Sequence, residues 1–400
     1  MADLPRASSA ALTLVHPTLA EKKHTWTLNS QSWGTALAVD DYLERESYLA
    51  SIPATRDGGV THWILTDSTA PAESRPVLAC CESLRRRAVI SLPGSPTKEV
   101  ITHGIGSVFC PPAYRGRGYA SRMLALLAPI LKTWQKEEGE CYFSILYSDI
   151  GKKYYAGLGW DVFPSAHISL PALAAPVTNG VTTNGTNGVT VNGTNGVHKT
   201  KAGARTLTPA EIAPLCALDE QYIGTAVQST AKHMNKPAVA LLADYSTMEW
   251  HHLREDFMCD KLFQGKVPTI KGAISSGDKG SRIWTIFTRS FYGPLQDPKS
   301  GNVLHLLRLV MEDEQDTEEN AQKLKSVLEV AQREAGTWGL AAVEMWNVSP
   351  VGKALLERTG LEHKAEEREE ESICSLMWYG PGKGGVEGVE WVANEKFGWC

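Results

Sequence analysis

The feature that most limits the fold of this chain is a short glycine-rich turn between an apolar run and a helix-forming run. The apolar run covers residues 105–110, the turn covers residues 115–120, and residues 122–128 favour a helix. Glycines let the backbone approach a ligand closely, and the free N–H groups at a helix start attract anions. We therefore expect a strand, an anion-binding turn and a helix within an α/β (α+β) fold.

The turn has the pattern Arg-x-x-Gly-x-Ala, which differs from the Rossmann glycine spacing and lacks the Gly-Lys-Ser/Thr end of a P-loop. It resembles motif A of the GCN5-related N-acetyltransferases, the GNAT superfamily. The resemblance implies that the turn binds the pyrophosphate of acetyl-CoA through Arg115, Gly116, Arg117, Gly118, Tyr119 and Ala120. It also implies that backbone groups of Val108, Phe109 and Cys110 pair with the pantetheine arm as an added strand.

A second motif follows after the gap of one helix. Residues 141–148 are apolar and aromatic, which predicts a buried strand. Tyr155 then stands four residues before Gly159, and Trp160 follows, an arrangement that resembles the end of GNAT motif B. The resemblance implies that Tyr155 is the general acid that protonates the departing thiolate. Tyr154 would take this role if the alignment is shifted by one residue, and a packing role is the alternative for Tyr155.

The general base is less clearly indicated. Glu99 and His103 are polar residues on the long strand expected at residues 99–110, and either could accept a proton directly or through water. A glutamate at a strand end is usually solvated, and a lone histidine in a strand is often a core residue. Both alternatives stay open.

Nearly the whole chain resembles the fungal lysine N6-acetyltransferases that acetylate free lysine. The resemblance rests on the phrases at residues 14–18, 57–63, 106–109, 146–151 and 394–400. It implies an acetyl-CoA-dependent N-acetyltransferase that acts on the side-chain amine of free L-lysine or a related small amine. The alternatives are a protein or peptide lysine acetyltransferase and a non-catalytic acetyl-CoA-binding protein.

A lysine substrate needs acidic groups near its amines. The candidate residues are Asp40, Asp41, Glu44, Glu46 and Asp149. The first four also fit a solvated face of a helix over residues 39–50. The arginine run at residues 85–87 could bind a substrate carboxylate, although such a run is more often a surface feature.

The composition fits a soluble globular protein, and the resemblance adds a small-molecule amine as its partner. With 42% hydrophobic residues, 21% charged residues and a net charge of −5, nucleic acid is disfavoured as the main partner. No apolar run has the length of a membrane span, and residues 1–9 lack a secretory h-region, so we expect a cytoplasmic protein. The eight cysteines form no CxxC pair or Cys/His cluster, so we expect reduced thiols and no metal. The sequence leaves the oligomeric state open.

A chain of 400 residues is too long for one ordinary core. Residues 177–197 contain five Asn-Gly dipeptides within Thr- and Val-rich repeats. Asn-Gly can form hairpin turns, but the strands between these turns would be too short to pair, which favours a flexible linker. We therefore expect a GNAT domain at residues 1–173, a low-complexity linker at 174–204 and a C-terminal domain at 205–400.

The C-terminal domain repeats the end of the first in a degenerate, GNAT-like form. Its predicted elements are, in order, strand, helix, strand and helix, at residues 303–311, 318–337, 341–347 and 351–358. Leu356 stands four residues before Gly360, where the first domain has Tyr155, and the acidic run 312–314 replaces the basic turn. Acidic residues repel pyrophosphate, so we expect one acetyl-CoA per chain.

The remaining elements follow from residue periodicity. We expect strands at residues 12–16, 61–66, 77–83, 269–274 and 283–289. We expect helices within residues 18–33, 39–50, 122–134, 209–223 and 248–257, with Trp26 and Trp33 on or near the core.

Overall fold

The computed structural model describes residues 4–72, 74–174, 203–297 and 299–399. Its helices are α1 (Leu19–Trp33), α2 (Val39–Leu49), α3 (Tyr119–Leu131), α4 (Lys153–Ala156), α5 (Ile212–Met234), α6 (Tyr245–Leu262), α7 (Glu318–Thr337), α8 (Pro350–Thr359) and α9 (Gly385–Gly388). Its strands are β1 (Leu12–Val15), β2 (Val60–Asp67), β3 (Ala79–Ser91), β4 (Lys98–Phe109), β5 (Cys141–Ser148), β6 (Asp161–Val162), β7 (Ala166–Pro171), β8 (Arg205–Leu207), β9 (Ala238–Leu241), β10 (Gly272–Ile274), β11 (Ile283–Ser290), β12 (Val303–Met311), β13 (Ala342–Trp346), β14 (Lys364–Glu367), β15 (Ile373–Trp378) and β16 (Glu390–Trp391). The Asn-Gly repeats at residues 177–197 lie outside the described residues.

Two mixed sheets form the framework of the described residues. The first has nine strands, in the order β1-β2-β3-β4-β5-β15-β6, with β9 paired to β3 and β16 to β9. The second has seven strands, in the order β14-β7-β13-β12-β11-β10-β8. In each sheet a helix links two parallel neighbours, α3 between β4 and β5 and α7 between β12 and β13. The mixed α/β fold predicted from the sequence is confirmed.

The two halves of the chain exchange strands. β7 of the N-terminal half pairs antiparallel with β13 in the second sheet, whereas β15 of the C-terminal half pairs antiparallel with β5 in the first. Each exchanged strand therefore occupies the same position beside a parallel pair. Neither sheet is built only from residues up to 174 or only from residues after 202, and the boundaries at residues 173 and 205 stay a prediction.

Local sequence explains where the helices begin. Thr18 and Glu21 form a reciprocal capping box at the start of α1, with the Thr18 N–H donating to Glu21 Oε2 at 2.7 Å. α3 begins after Gly118, whose φ of +80° favours glycine. Met123 and Leu127 of α3 are fully buried in the core of the first sheet. This packing holds the N-terminus of α3 beside the end of β4.

Several elements differ from their predicted bounds. α5 continues to Met234 instead of ending near residue 223, and α6 begins at Tyr245 instead of residue 248. The strand expected at residues 269–274 begins only at Gly272. β3 continues past its arginines to Ser91, because β9 pairs with residues 88–91.

Candidate active site

The parallel pair of β4 and β5 opens into a gap at its carboxyl end. The ladder between the two strands ends at the pair Ile105–Leu146, although β4 continues to Phe109 and β5 to Ser148. The edge of β4 that faces this gap is left without a partner strand among the described residues. Such an edge is a place where an extended ligand can pair with backbone groups.

A bulge interrupts β4 just after the ladder ends. Between the pairs Glu82–Gly106 and Cys80–Phe109, β4 has one residue more than β3. Ser107 lies in this bulge and has a φ of +52°, which is uncommon outside glycine. The predicted pantetheine-binding residues and the two before them line a cavity here: Gly106, Ser107, Val108, Phe109 and Cys110.

The glycine-rich turn lies along the same cavity. All the predicted turn residues except Arg117 line it: Arg115, Gly116, Gly118, Tyr119 and Ala120. Gly116 and Gly118 have φ of +73° and +80°, and a Cβ on Gly116 would meet nothing within 4 Å. Arg115 Nε donates to the Cys110 carbonyl oxygen at 3.0 Å. Since Arg115 forms no ion pair with the described residues, its charge is free for an anion.

The cavity has a volume of about 880 Å³ and is lined by both halves of the chain. The C-terminal half contributes Trp250, Arg254, Phe291, Tyr292 and Trp399. Trp26 is buried as expected, but Trp33 is 37% exposed and lines the cavity, with its ring centre 6.2 Å from that of Phe109.

Two adjacent tyrosines of α4 line the cavity. Tyr155 is 8% exposed, and burial, reinforced by Tyr154 and Asp149, raises the pKa of its phenol above the usual value. The phenol therefore stays protonated at neutral pH and can donate a proton. The Tyr154 hydroxyl lies 3.0 Å from Ser121 Oγ at the start of α3. The structure thus brings the two sequence motifs together at one cavity.

An acid–histidine pair that the motifs did not indicate lies beside the bulge. His62 of β2 and Glu82 of β3 are cross-strand partners, with His62 Nδ1 and Glu82 Oε1 3.1 Å apart. Burial opposes ionisation of Glu82, but the charge and hydrogen bond of His62 outweigh it and hold the pKa of this carboxyl below its usual value. Ser107 Oγ donates to the second carboxylate oxygen at 3.4 Å. His62 Nε2 is buried without a hydrogen-bond partner among the described residues.

Two of the acidic residues expected near the substrate line the cavity, Glu46 and Asp149. Arg45 Nη2 donates to Glu46 Oε1 at 2.6 Å. Burial raises the pKa of Glu46; Arg45 opposes this shift, and the nearby Glu82 carboxylate adds to it. Asp149 accepts a hydrogen bond from the backbone N–H of Ser372 at 3.1 Å.

The other acidic residues of α2 do not line the cavity. Asp41 and Glu44 pair with Lys261 of α6 at 3.1 and 2.7 Å, and Asp40 is exposed. The interpretation of these three as a solvated helix face agrees with their surroundings.

Glu99 and His103, the two predicted bases, lie outside the cavity. Glu99 is exposed on β4 and pairs with Arg87 at 2.7 Å. His103 is fully buried, with Nε2 3.3 Å from Gln135 Oε1, and burial lowers its pKa to about 4. Both residues fit the structural alternatives considered for them. The structure does not bring either residue to the cavity, and the proposal below assigns the base to Glu82, paired with His62, instead.

The arginine run considered for a substrate carboxylate does not line the cavity either. Arg85 pairs with Glu138 at 3.2 Å, and Arg87 pairs with Glu99 of β4 and with Glu220 of α5. Arg86 is buried, with its guanidinium carbon 5.6 Å from the Trp250 ring centre, so the run is not wholly a surface feature.

The equivalent gap in the second sheet is filled by the chain itself. The ladder between β12 and β13 ends at Leu306, and β12 continues beyond it. There the Leu309 N–H donates to Glu395 Oε2 at 2.9 Å. Asn347, directly after β13, donates through Nδ2 to the Asn394 carbonyl oxygen at 2.6 Å. The segment after β16 therefore satisfies the backbone that the first sheet leaves open.

The cysteines that the structure describes are all free. The described ranges bring together no group of three or more His, Cys, Asp or Glu side chains suited to a metal ion. In the same ranges, no helix combines the length and apolarity needed to cross a membrane.

A family model described as the LYC1 GNAT-like C-terminal domain matches residues 189–400, more than half of the chain. This chain belongs to that family. A lysine acetyltransferase of Yarrowia lipolytica is 28% identical over 154 residues, which cover 35% of this chain and 38% of that protein. An uncharacterized protein of Saccharomyces cerevisiae is 24% identical over 411 residues, which cover 94% of this chain and 95% of that protein.

Solved structures share the fold of this LYC1-like protein. A probable N-acyltransferase of Enterococcus faecalis superposes with a TM-score of 0.50 at 11% identity, covering 92% of this chain and 72% of that chain. The N-myristoyltransferase of Saccharomyces cerevisiae with bound myristoyl-CoA gives a TM-score of 0.50 at 9% identity, covering 94% and 81%. At these identities the likeness concerns the fold alone. The GNAT-type N-acetyltransferase predicted from the motifs is confirmed at the level of family and fold.

Proposed function

We propose that this LYC1-like protein is an acetyl-CoA-dependent N-acetyltransferase that acts on the side-chain amine of free L-lysine or a related small amine. One observation carries the proposal. The open gap between β4 and β5 adjoins a glycine-rich turn whose Arg115 has no ion pair among the described residues, and both line one cavity.

The residues at the gap fit acetyl-CoA, which would supply an activated acetyl thioester. The N–H groups at the start of α3, together with Arg115, suit the pyrophosphate. Residues 106–109 on the free edge of β4 suit the amides of the pantetheine arm. Gly116 and Gly118 leave the surface of the turn bare, so that phosphate oxygens can reach the backbone.

Acid–base chemistry is assigned to three side chains. A primary amine is protonated at neutral pH and has to lose a proton before it can attack a carbonyl carbon. Glu82, which the charge and hydrogen bond of His62 hold ionised, accepts that proton directly. A backbone N–H of the bulge stabilises the negative charge that develops on the thioester oxygen. Tyr155 donates the proton that the departing thiolate needs.

Two observations favour a small substrate over a protein. The cavity is lined by side chains of both halves of the chain, including Trp250 and Trp399 of the C-terminal half. The relative from Yarrowia lipolytica is named a lysine acetyltransferase. Free lysine is therefore the proposed substrate, and peptide lysine becomes an outcome of the test. A cytoplasmic location stays a prediction.

The test is a panel of amines with purified protein and acetyl-CoA, read by thiol release. L-lysine should give the highest kcat/KM, above ornithine, spermidine and a lysine-containing peptide. A higher value for the peptide would favour a peptide acetyltransferase. Thiol release with none of these amines, from folded protein that binds acetyl-CoA, would favour a non-catalytic acetyl-CoA-binding protein.

A further inference from the structure

The cavity contains a second cation without a carboxylate partner, on the helix that the C-terminal half contributes. Arg254 lies on α6, one turn after Trp250, and both side chains line the cavity. Its guanidinium carbon lies 5.6 Å from the centre of the Trp399 ring. No carboxylate of the described residues reaches Arg254 within 4.0 Å.

The surroundings of Arg254 are unfavourable for an unpaired charge. Burial, with the nearby charge of Arg45, lowers the pKa of Arg254 to about 10. Arg45 itself is neutralised by Glu46 at 2.6 Å. A partly buried arginine without a carboxylate partner costs stability, which is a reason to look for an external anion.

The charged side chains that line the cavity lie on different elements. Arg115 stands at the glycine-rich turn, and the pair of His62 and Glu82 stands at the bulge. The charges of both Glu82 and Arg254 act on the carboxyl of Glu46, so Glu46 lies within reach of both. Glu46 therefore lies close to both the pair of His62 and Glu82 and the guanidinium of Arg254.

We infer that Arg254 binds the carboxylate of the substrate, so that the enzyme selects a free amino acid with a side-chain amine rather than a simple diamine or an internal peptide residue. This inference rests on the proposed function. The planar guanidinium suits bidentate pairing with a carboxylate. The rings of Trp250 and Trp399 provide apolar walls for the aliphatic part of such a substrate.

The test compares ligands that differ only in the carboxylate. L-lysine, L-lysinamide and pentane-1,5-diamine share the reacting amine, and only L-lysine has a carboxylate. In the wild-type protein, L-lysine should have a KM at least about 30-fold lower than L-lysinamide, the scale of one charge-assisted pair. Arg254→Met should raise the KM for L-lysine by a similar factor and leave the KM for pentane-1,5-diamine nearly unchanged.

Arg254→Lys keeps the charge but not the planar fork, so it should recover part of the preference for L-lysine. This variant also decides the question if Arg254→Met does not fold, which thermal unfolding will show. Equal KM values for L-lysine and L-lysinamide in the wild type would overturn the inference. So would an equal rise for all three ligands in Arg254→Met.

Calorimetric titration separates this inference from the proposed function. L-lysine should bind the protein more tightly than L-lysinamide, and Arg254→Met should remove the difference. If no amine releases thiol but this binding difference is present, the proposed acetyl transfer fails while the role of Arg254 stands. If turnover occurs and the binding difference is absent, the role of Arg254 fails while the acetyl transfer stands.

Discussion

The two parallel strand pairs of this molecule share one topology but have opposite surroundings at their carboxyl ends. Beside β4 the gap is open, and the following turn is glycine-rich and basic. Beside β12 the gap is filled by the chain, because Glu395 accepts the Leu309 N–H and also pairs with Arg308. We therefore expect a coenzyme site only where the backbone edge of the GNAT-like unit stays unsatisfied.

The second unit, built around β12 and β13, also differs from the first, built around β4 and β5, at the positions to which the proposal assigns coenzyme binding and catalysis. Glu312 follows β12, where the first unit has its basic turn, and it accepts hydrogen bonds from Arg282 and from the Gly280 N–H. Leu356 replaces Tyr155 and is buried. We infer that the C-terminal half contributes side chains such as Arg254 to the cavity beside β4. We also infer that it binds no coenzyme of its own.

The largest expected effect comes from Glu82→Gln, which keeps the shape of the side chain but removes its basicity. If Glu82, paired with His62, accepts the proton of the ammonium, kcat/KM should fall about a hundredfold or more. Glu99→Gln is the matched control, since this exposed glutamate on β4 lies outside the cavity. Steady-state kinetics with L-lysine measure both variants. A large loss with Glu99→Gln and none with Glu82→Gln would restore the base first predicted from the sequence.

Tyr155→Phe should lower kcat about a hundredfold and leave acetyl-CoA affinity nearly unchanged, because the phenol donates chiefly in the transition state. The ring and its packing are kept. Tyr154→Phe, which loses only the contact of its hydroxyl with Ser121, should be close to wild type. If the two variants exchange behaviour, the motif alignment is wrong by one residue. If neither is slow, another group or water protonates the thiolate.

Gly118→Val tests the glycine-rich turn beside the open gap, where the pyrophosphate of acetyl-CoA is proposed to bind. A Cβ on Gly118 would lie 3.3 Å from the Ala7 Cβ, and the φ of +80° disfavours a branched side chain. Affinity for acetyl-CoA should fall at least about tenfold, on the order of 1.4 kcal/mol. Gly360→Val is the control, since Gly360 ends α8 in the second unit with a φ of +65°. Calorimetric titration of the folded variants that shows no loss for Gly118→Val would refute the phosphate-binding role.

Glu395→Ala tests the filled gap. It removes the acceptor of the Leu309 N–H and one of the two partners of Arg308, which keeps Asp219 at 2.8 Å. The free energy of unfolding should fall by about 2–3 kcal/mol. Glu314→Ala, at an exposed glutamate, should change it little. Acetyl-CoA should bind with a stoichiometry of one in the wild type and in both variants, and a stoichiometry of two would contradict the comparison.

Local spacing explains how much of the site could be predicted. The roles proposed for Gly118 and Tyr155 come from the resemblance to the GNAT motifs, and each motif is visible in one short segment. Glu82 and His62 meet only through the register of β2 and β3, although one carboxylate inside an apolar strand is a signal of function. Arg254 lies on α6 of the C-terminal half, so only tertiary packing brings it to the cavity. The exchange of β7 and β15 has no local signature, because any apolar strand fits either sheet.

The smallest effect is expected from the linker. Ala172 and Leu173 are held by backbone N–H bonds to Ala341 and Gln332, and β8 pairs with β10. Since both flanking segments are fixed by the second sheet, replacing residues 177–197 with a Gly/Ser linker of equal length should leave Tm and kcat nearly unchanged.

The matched contrast to the linker variant is Leu170→Ala in the exchanged strand β7. Leu170 is fully buried, so this truncation should cost about 2–5 kcal/mol of unfolding free energy. The exchanged strands, and not the covalent connection, would then hold the open and filled units together. A fall in Tm of more than about 4 °C for the linker variant, on the order of 1 kcal/mol, would instead show that the repeats form an element that supports one of the two gaps.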